Sequence, residues 1–556
     1  MFNKNLEAID NLALKRRLSR ISPVESRMGI SYCVTPSNDY VLLKDELPSD
    51  DLNNPREAVK KTLKDNIKYE MKSNDIIITF GIGLGYLLDE TFNTYPSRIF
   101  VYEPDLNLLH FVLSNIDISE HLSSGRVFLT NDLDELISKL ASTFLTKDKV
   151  EIVYLQNYAV AKNKELLLLT QKVLEACKSK MIDVNTITKF SKVWLENTIN
   201  NIAFVNNNKG YLLSSLENKF IGQTALIAGA GPSLNDDISK IQANRDKFVV
   251  FAVNKSVKYL LQNGITPDFV VCLDARNMDK TLGNLEYDFA RVNCIMDVRS
   301  DKSVMNKGFN KVFLTFSDTD FFIKKLAQAN TALKFYESGG SASILALISA
   351  VKMGFSKLIL SGIDLAFKGN VIYSSGENMN RVSQNEMVVD SVKKNIVQVK
   401  SVTGGTVYTR EDYQAFIHHF ETVIKELNYS EIYNTSSFGA YIEGVKNVSF
   451  DNLNLFGTSS IQPVAFAEPF KFDVKAFVDE EFLHINNIIA MISKGVFSPA
   501  LVNSIVKSAS VYQYMQMEVL TVLQKNFDPQ FAEDFIAKTK LAIRTVVELF
   551  QKNKLV

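Results

Sequence analysis

Two rhythms of apolar residues alternate along most of this chain. Short runs that are apolar almost throughout, "DIIITF", "RIFVY", "VFLT" and "VEIVY", read as strands covered on both faces. The segments between them, such as "GYLLDETF" and "DLNLLHFVL", space their apolar residues three and four apart, the period of a helix burying one face. The alternation restarts at "TALIA" and runs through "FVVFAV", "PDFVVCL", "NCIMDV", "KVFLTF" and "KLILS", with the helical "SASILALISAVKMGF" before the last. Between the two stretches the chain reads as helix throughout, from "KNKELLLLTQKVLEACKSK" to "WLENTINNIAFVNNN". The opening residues hold only short apolar pieces, "SYCVTP" and "DYVLL", which suggest a small β-rich cap. After "NLNLFGTSSIQPVAFAEP" strand signals stop, and the tail reads as helix with one break at "NFDPQF".

Strands alternating with helices imply parallel sheets joined by right-handed crossovers. The expected fold is α/β: two Rossmann-like parallel-sheet domains followed by an all-helical C-terminal domain. The boundaries read as 1–160 for the first Rossmann-like domain, 161–218 for a helical bridge, 219–465 for a central domain and 466–556 for the helical tail. A chain of 556 residues is too long for a single core. Lys+Arg and Asp+Glu balance at 62 each, so no global basic field asks for nucleic acid or an anionic membrane as partner. The four cysteines, Cys33, Cys177, Cys272 and Cys294, are far apart with no C-x-x-C, which argues for reduced thiols and against a metal module. With no apolar signal segment and no membrane-length apolar run, the expectation is a cytoplasmic, soluble protein.

Chemistry concentrates at the strand ends. Gly81, Gly83 and Gly85 follow the first strand, and Glu103 ends the next. That spacing suits a ligand loop of the S-adenosylmethionine kind, and it equally suits a turn that packs strand against helix. In "IAGAGPSLND", Gly229 and Gly231 free the backbone after the strand, Pro232 sets φ for the helix, and Ser233 with Asp236 reads as a capping box. Such a helix start presents N–H groups to a phosphate. Asn254 in "FAVNKS", Asp274 in "VCLDAR", Ser338 to Ser341 in "YESGGSAS", and Ser361, Gly362 and Asp364 in "LILSGIDLAF" end further strands or open a helix. Ligands of open parallel sheets sit beyond the carboxyl ends of the strands, so these residues together read as one crevice.

The stretches "IAGAGPSL" and "SGGSASILALISAVKMGFSKLILSGID", with an Asn after the second strand and a Tyr in the loop that follows, resemble the small bacterial CMP-sialic acid transferases over about residues 222–375. The three-part layout, with "GAGPSLNDD", "GITPDFVVCLDA" and "SGIDLAF", resembles the motility-associated factor family of flagellin-modifying proteins. The resemblance implies transfer of a nonulosonic acid, of pseudaminic or legionaminic type, from its CMP ester to Ser or Thr of flagellin, with no cofactor beyond that donor. By motif position, Gly229, Ala230, Gly231, Pro232 and Ser233 would hold the CMP phosphate and ribose, and Asn254 ribose or base. Ser338 and Gly339 would meet phosphate or sugar carboxylate, Ser361, Gly362 and Ile363 the cytidine, and Tyr373 the leaving phosphate. The helical tail would help to recognise the acceptor.

The departures fall on the base. The sialyltransferases use a His downstream of Ser-Gly-Ile-Asp, and "SSGENMNRVSQNEMVVDSVKKNIVQVKS" has none. Tyr373 stands where many motility-associated factors place a His, and Ala230 replaces the Asn of the sialyltransferase loop. Asp274, Glu337 or Asp364 could activate the acceptor hydroxyl instead. His418 and His419 share an amphipathic helix, where one should face core and one solvent; Trp194, in the bridge, reads as an interdomain packing residue. Two alternatives stand beside the glycosyltransferase: a pterin pyrophosphokinase with Mg²⁺ on Asp274 or Asp364, and a flagellin-binding factor without catalysis.

Overall fold

The computed structural model describes residues 1–144, 148–208, 210–276, 278, 282, 287–368, 396–453, 455, 468–524 and 527–555. The chain divides into two compact units, Met1–Thr188 and Lys189–Val556.

The first unit opens with helices Phe2–Ala8 and Leu12–Leu18, then a three-stranded antiparallel sheet in the order β1 (Ile30–Val34), β2 (Tyr40–Lys44), β3 (Leu47–Pro48). Its main sheet is parallel: β4 (Ile76–Phe80), β5 (Arg98–Tyr102), β6 (Val127–Thr130) and β7 (Val150–Tyr154), in the order β6-β5-β4-β7. Every residue of β4 is buried, as an all-apolar central strand requires. The helices start where polar side chains close their first turns. Asn54 accepts from Glu57 N–H ahead of Pro55–Asn66, and Asp105 from Asn107 and Leu108 N–H ahead of Leu106–Asn115.

The division between the units falls within one long helix, α1 (Asn163–Asn207). The second unit is built on nine parallel strands: β8 (Tyr211–Leu212), β9 (Thr224–Ala228), β10 (Val249–Val253), β11 (Phe269–Cys272), β12 (Asn293–Asp297), β13 (Val312–Thr315), β14 (Lys357–Ser361), β17 (Ile432–Asn434) and β18 (Lys446–Asn447). A two-stranded antiparallel ribbon, β15 (Ile396–Lys400) and β16 (Thr406–Arg410), stands apart from them. The sheet order is β18-β17-β14-β9-β10-β11-β12-β13-β8. The chain therefore builds outward from β9 to β13, then crosses back to lay β14 on the other side of β9. Between β9 and β14 the direction of winding reverses, which is where open α/β sheets take ligands.

Side chains of the central strands alternate between two cores, as a period of two demands. Ala225, Ile227, Val249 and Phe251 join one with α3 (Ala342–Met353) and α4 (Glu411–Leu427). Leu226, Ala228, Val250 and Ala252 join the other, with α2 (Leu234–Ala243) and the end of α1. The tail helices α5 (Lys475–Ser493), α6 (Pro499–Lys507), α7 (Ala509–Gln524) and α8 (Ala532–Lys552) pack into that same second core. Phe477 meets Phe322 with ring centroids 5.0 Å apart, and Asn330 brackets the backbone of Asp473 with bonds of 2.9 and 2.8 Å.

Two local readings change. The segment expected to be helical to residue 218 ends its helix at Asn207 and supplies β8, an edge strand too short to show as an apolar run. The tail, set apart in the sequence as a domain, shares the core of the sheet. Among the described residues no helix is long and apolar enough to cross a membrane.

Candidate functional site

Both parallel sheets have a reversal point, and each carries a glycine loop there. In the first unit Gly81, Gly83 and Gly85 all take positive φ (88°, 49° and 87°). The ring of Tyr158 closes on Gly81, so that a Cβ there would lie 2.5 Å from Tyr158 Cδ1. Glu103 is fully buried and accepts from Ile82 N–H at 3.0 Å, Asp105 N–H at 2.9 Å and the Tyr158 hydroxyl. The acid that could have met a ribose is held by the protein itself. The loop packs against Tyr158 and bonds to Glu103.

That packing has a pH consequence. Burial pushes the Glu103 carboxyl up to about 7, and Asp50, buried with the Ser49 hydroxyl as its partner, up to about 6. Between the ordinary carboxylate range and these values the folded unit keeps protons that the unfolded chain has released. Stability of the first unit should therefore be highest near pH 4.5 and fall as pH rises through 7, by roughly 3 kcal/mol for Glu103 alone. Denaturant unfolding at pH 5 and pH 8 tests this: Glu103→Gln should flatten the difference, and a parent protein equally stable at both would refute it.

At the reversal point of the second unit the two loops are knitted together. Gly229 N–H donates to Ser361 O at 2.8 Å and Gly231 N–H to Gly362 O at 2.7 Å. A Cβ on Gly229 would lie 2.2 Å from Gly362 O, so glycine is required there by the approach of one backbone to another. Asp364 is buried across the join: it accepts from Ser233 N–H at 2.9 Å and the Ser436 hydroxyl at 2.5 Å. Burial raises its pKa against those hydrogen bonds. Ser233 is already in helical conformation (φ −65°, ψ −19°), and its hydroxyl accepts from Gly362 N–H at 3.2 Å rather than capping α2. Asp236 lies on the surface against Lys368 at 3.1 Å, so the expected capping box does not form. Ser361 turns its hydroxyl to the buried Asp237, 2.7 Å away, which Thr435 also meets; Ile363 and Pro232 are buried.

The loop residues that keep solvent contact are Ala230 and Gly231, both half-buried. Along the same carboxyl edge, Asn254 is buried and donates through Nδ2 to Asp274 Oδ2 at 2.8 Å, leaving Asp274 exposed and oriented. Lys255, beside Asn254, is exposed. A second cluster forms at the turn before α3. Gly339 is exposed at φ 56°, and the His419 ring lies so close that a Cβ on Gly339 would fall 2.4 Å from His419 Cδ2. His419 Nε2 is 3.1 Å from Glu337 O, while His418 is exposed beside Glu421 at 3.4 Å. Glu337 accepts from the Ser317 hydroxyl at 2.9 Å and from Asp318 N–H, and burial raises its pKa. Ser338 is buried in this turn.

The structure thus gathers the glycine-loop and Ser-Gly-Ile-Asp residues into one hydrogen-bonded unit, with Asn254 and Asp274 as a pair and Ser338–Gly339 as another group on the same edge. Tyr373 lies outside the described residues. Three residues were missed as parts of the site: Asp237, Ser436 and His419. Asp237 and Ser436 had no signal, since their partners come from distant segments; His419 had one, as the inward member of a His pair. Trp194 stacks on Phe190 at 5.8 Å under the Arg299 guanidinium, within the second unit.

Residues 196–370 match the family described as 6-hydroxymethylpterin diphosphokinase MptE-like. An uncharacterized protein of Treponema pallidum (strain Nichols) is 30% identical over 108 residues, which are 19% of this chain and 50% of that protein. The chain thus matches half the length of that relative. In fold, this chain is similar over 100% of its length to 96% of the MAf glycosyltransferase from Magnetospirillum magneticum AMB-1, with a TM-score of 0.65 and 15% identity. The sialyltransferase CstII from Campylobacter jejuni, in complex with cytidine-5'-monophosphate, aligns over 46% of this chain and 97% of its own, at 15% identity and a TM-score of 0.21.

Proposed function

We propose that this protein is a glycosyltransferase that moves a nonulosonic acid, of pseudaminic or legionaminic type, from its CMP ester to Ser or Thr hydroxyls of flagellin, in support of flagellum assembly and motility. The observation that carries the reading is the reversal point of the nine-stranded sheet, where the "GAGPS" and "SGID" loops meet in a chain whose whole fold is that of a glycosyltransferase. The donor class comes from the motifs of those two loops and of the "SGGS" turn. In this reading the phosphate lies over Ala230 and Gly231, near Lys255, where the Ala230 N–H and a cation offset the charge that develops as CMP leaves. The acceptor oxygen attacks the anomeric carbon, the bond from that carbon to the phosphate oxygen breaks, and CMP departs with the electron pair. Asp274, oriented by Asn254, takes the hydroxyl proton. Tyr373 remains the proposed partner of the leaving phosphate. Asp364, buried and bonded by Ser233 and Ser436, is assigned to the scaffold.

The family match over 196–370 favours a second reading, diphosphate transfer to a pterin. Thermal unfolding with CMP, and separately with ATP and Mg²⁺, separates the two. A ligand bound only by the folded state stabilises by about 2.7 kcal/mol at 100 times its dissociation constant. CMP alone should raise the midpoint, and Ala230→Asp, which sets a carboxylate where the phosphate is expected, should abolish the shift without moving the unliganded midpoint. A shift with ATP and Mg²⁺ only would replace the glycosyltransferase by the pterin enzyme.

A further inference from the structure

The edge strand β1 has a consequence separate from the crevice. It is the outer member of the three-stranded sheet, paired among the described residues with β2 alone. Its pairing with β2 runs one to one from Ile30↔Lys44 to Val34↔Tyr40, so no bulge interrupts it. In an antiparallel ladder, hydrogen-bonded and non-bonded pairs alternate. Asp45 N–H donates to Gly29 O at 2.7 Å and Thr35 N–H to Asp39 O at 2.8 Å, which fixes the phase. Ser31 and Cys33 therefore bond to β2, and Ile30, Tyr32 and Val34 turn their N–H and C=O groups outward. Leu42, opposite Tyr32, agrees with this phase: its carbonyl accepts from Ser49 N–H, on the β3 side.

Edges of this kind are normally guarded by a charge, a proline, a bulge or a covering segment. The strand "ISYCV" has no charge and no proline, and Tyr32 and Val34 are 66% and 57% exposed. Tyr40 of β2, 51% exposed, extends the same surface, with its ring 5.8 Å from that of Tyr32.

We propose that β1 is a self-association strand, which adds antiparallel to β1 of a second copy about a two-fold axis at Tyr32. The outward groups are symmetric about Tyr32, so this one register uses all of them. Tyr32 meets Tyr32, and Ile30 meets Val34 of the other copy, through main-chain bonds and pairs of aromatic and β-branched side chains. Two uncharged strands meet without repulsion. A five-residue strand from each copy buries less than the about 1,200–2,000 Å² of a stable dimer, so the association depends on concentration.

Sedimentation velocity of the full-length reduced protein, from low micromolar to hundreds of micromolar, should show a monomer giving way to a dimer. Tyr32→Pro should abolish the dimer while keeping the fold, because the N–H it removes points away from β2. If that variant fails to fold, Val34→Lys supplies the missing edge charge instead. Ser31→Cys places a thiol opposite Cys33 of the second copy, in a non-bonded pair about 4.5 Å apart at Cα, within disulfide range. Oxidation should then give a covalent dimer that the parent protein does not form. A protein monomeric throughout, or a dimer that survives both edge variants, overturns the proposal. So does a monomer that captures an extended segment of another protein through Tyr32, which would assign the edge to a different partner.

Discussion

Asp364→Ala should destabilise the second unit by about 3–5 kcal/mol and remove its response to CMP. The carboxylate is the one side chain that reaches from the "SGID" loop to both the glycine loop, at Ser233 N–H, and the segment after β17, at the Ser436 hydroxyl. Alanine leaves both donors buried without an acceptor, at about 1–3 kcal/mol each, and opens a small cavity between loops that touch through backbone. The binding loss follows from geometry rather than contact: Ala230 and Gly231 hold their position only while Gly229 and Gly231 stay bonded to the neighbouring loop. Asp364→Asn offers a control. Its amide oxygen can still accept from Ser233 N–H, and the Ser436 hydroxyl can accept from its amide nitrogen, so most of the stability and the CMP shift should remain. Denaturant unfolding and thermal shift on both variants decide it. An alanine variant as stable as its parent would remove Asp364 from the scaffold, and loss of the CMP shift in a fully stable asparagine variant would return it to the list of groups that touch the ligand.

How much of this was legible beforehand depended on how local the signal was. The all-apolar runs predicted β4 and β9 to β14 because a strand buried on both faces needs apolar residues at every position. The glycine positions were legible too, since Gly229 and Gly231 serve a backbone approach that no other residue permits. The roles of side chains in the loops were not. Ser233 reads as a helix cap from its neighbours alone, and becomes an acceptor for Gly362 only because β14 returns beside β9 after more than a hundred intervening residues. The same crossing turns Ser361 to Asp237 and sets Asp364 between Ser233 and Ser436. Asn254 and Asp274 meet as a pair because adjacent strands bring their ends together in register. The tail could be recognised as helical from its period, but not as part of the sheet's core, since an apolar helix face does not name the face it will cover.

That shared core sets the expectation for the tail. Glu481 is buried in α5 and receives four donors at the start of α7: Ala509 N–H at 2.7 Å, Ser510 N–H at 2.9 Å, the Ser508 hydroxyl at 2.9 Å and the Ser510 hydroxyl. A carboxylate at a helix N-terminus satisfies orphan N–H groups and complements the helix dipole, and here both effects act away from water. Glu481→Ala should cost about 4 kcal/mol, less than the sum of the separate bonds because the hydroxyls can turn to new acceptors. Glu481→Gln, which keeps one good acceptor, should lose about half of that. Because α5 to α8 pack into the core beneath β9 and β10, the loss should appear as a lower midpoint for the whole second unit, with the tail and the CMP response melting together. If the variant instead melts its tail in a separate early transition and keeps a CMP-responsive sheet, the tail is an independent module. Acceptor recognition could then be dissected by truncation. If the two melt as one, truncation would destroy the crevice along with the tail, and the acceptor face has to be mapped by surface substitutions on α5 to α8 that leave Glu481 and its four donors in place.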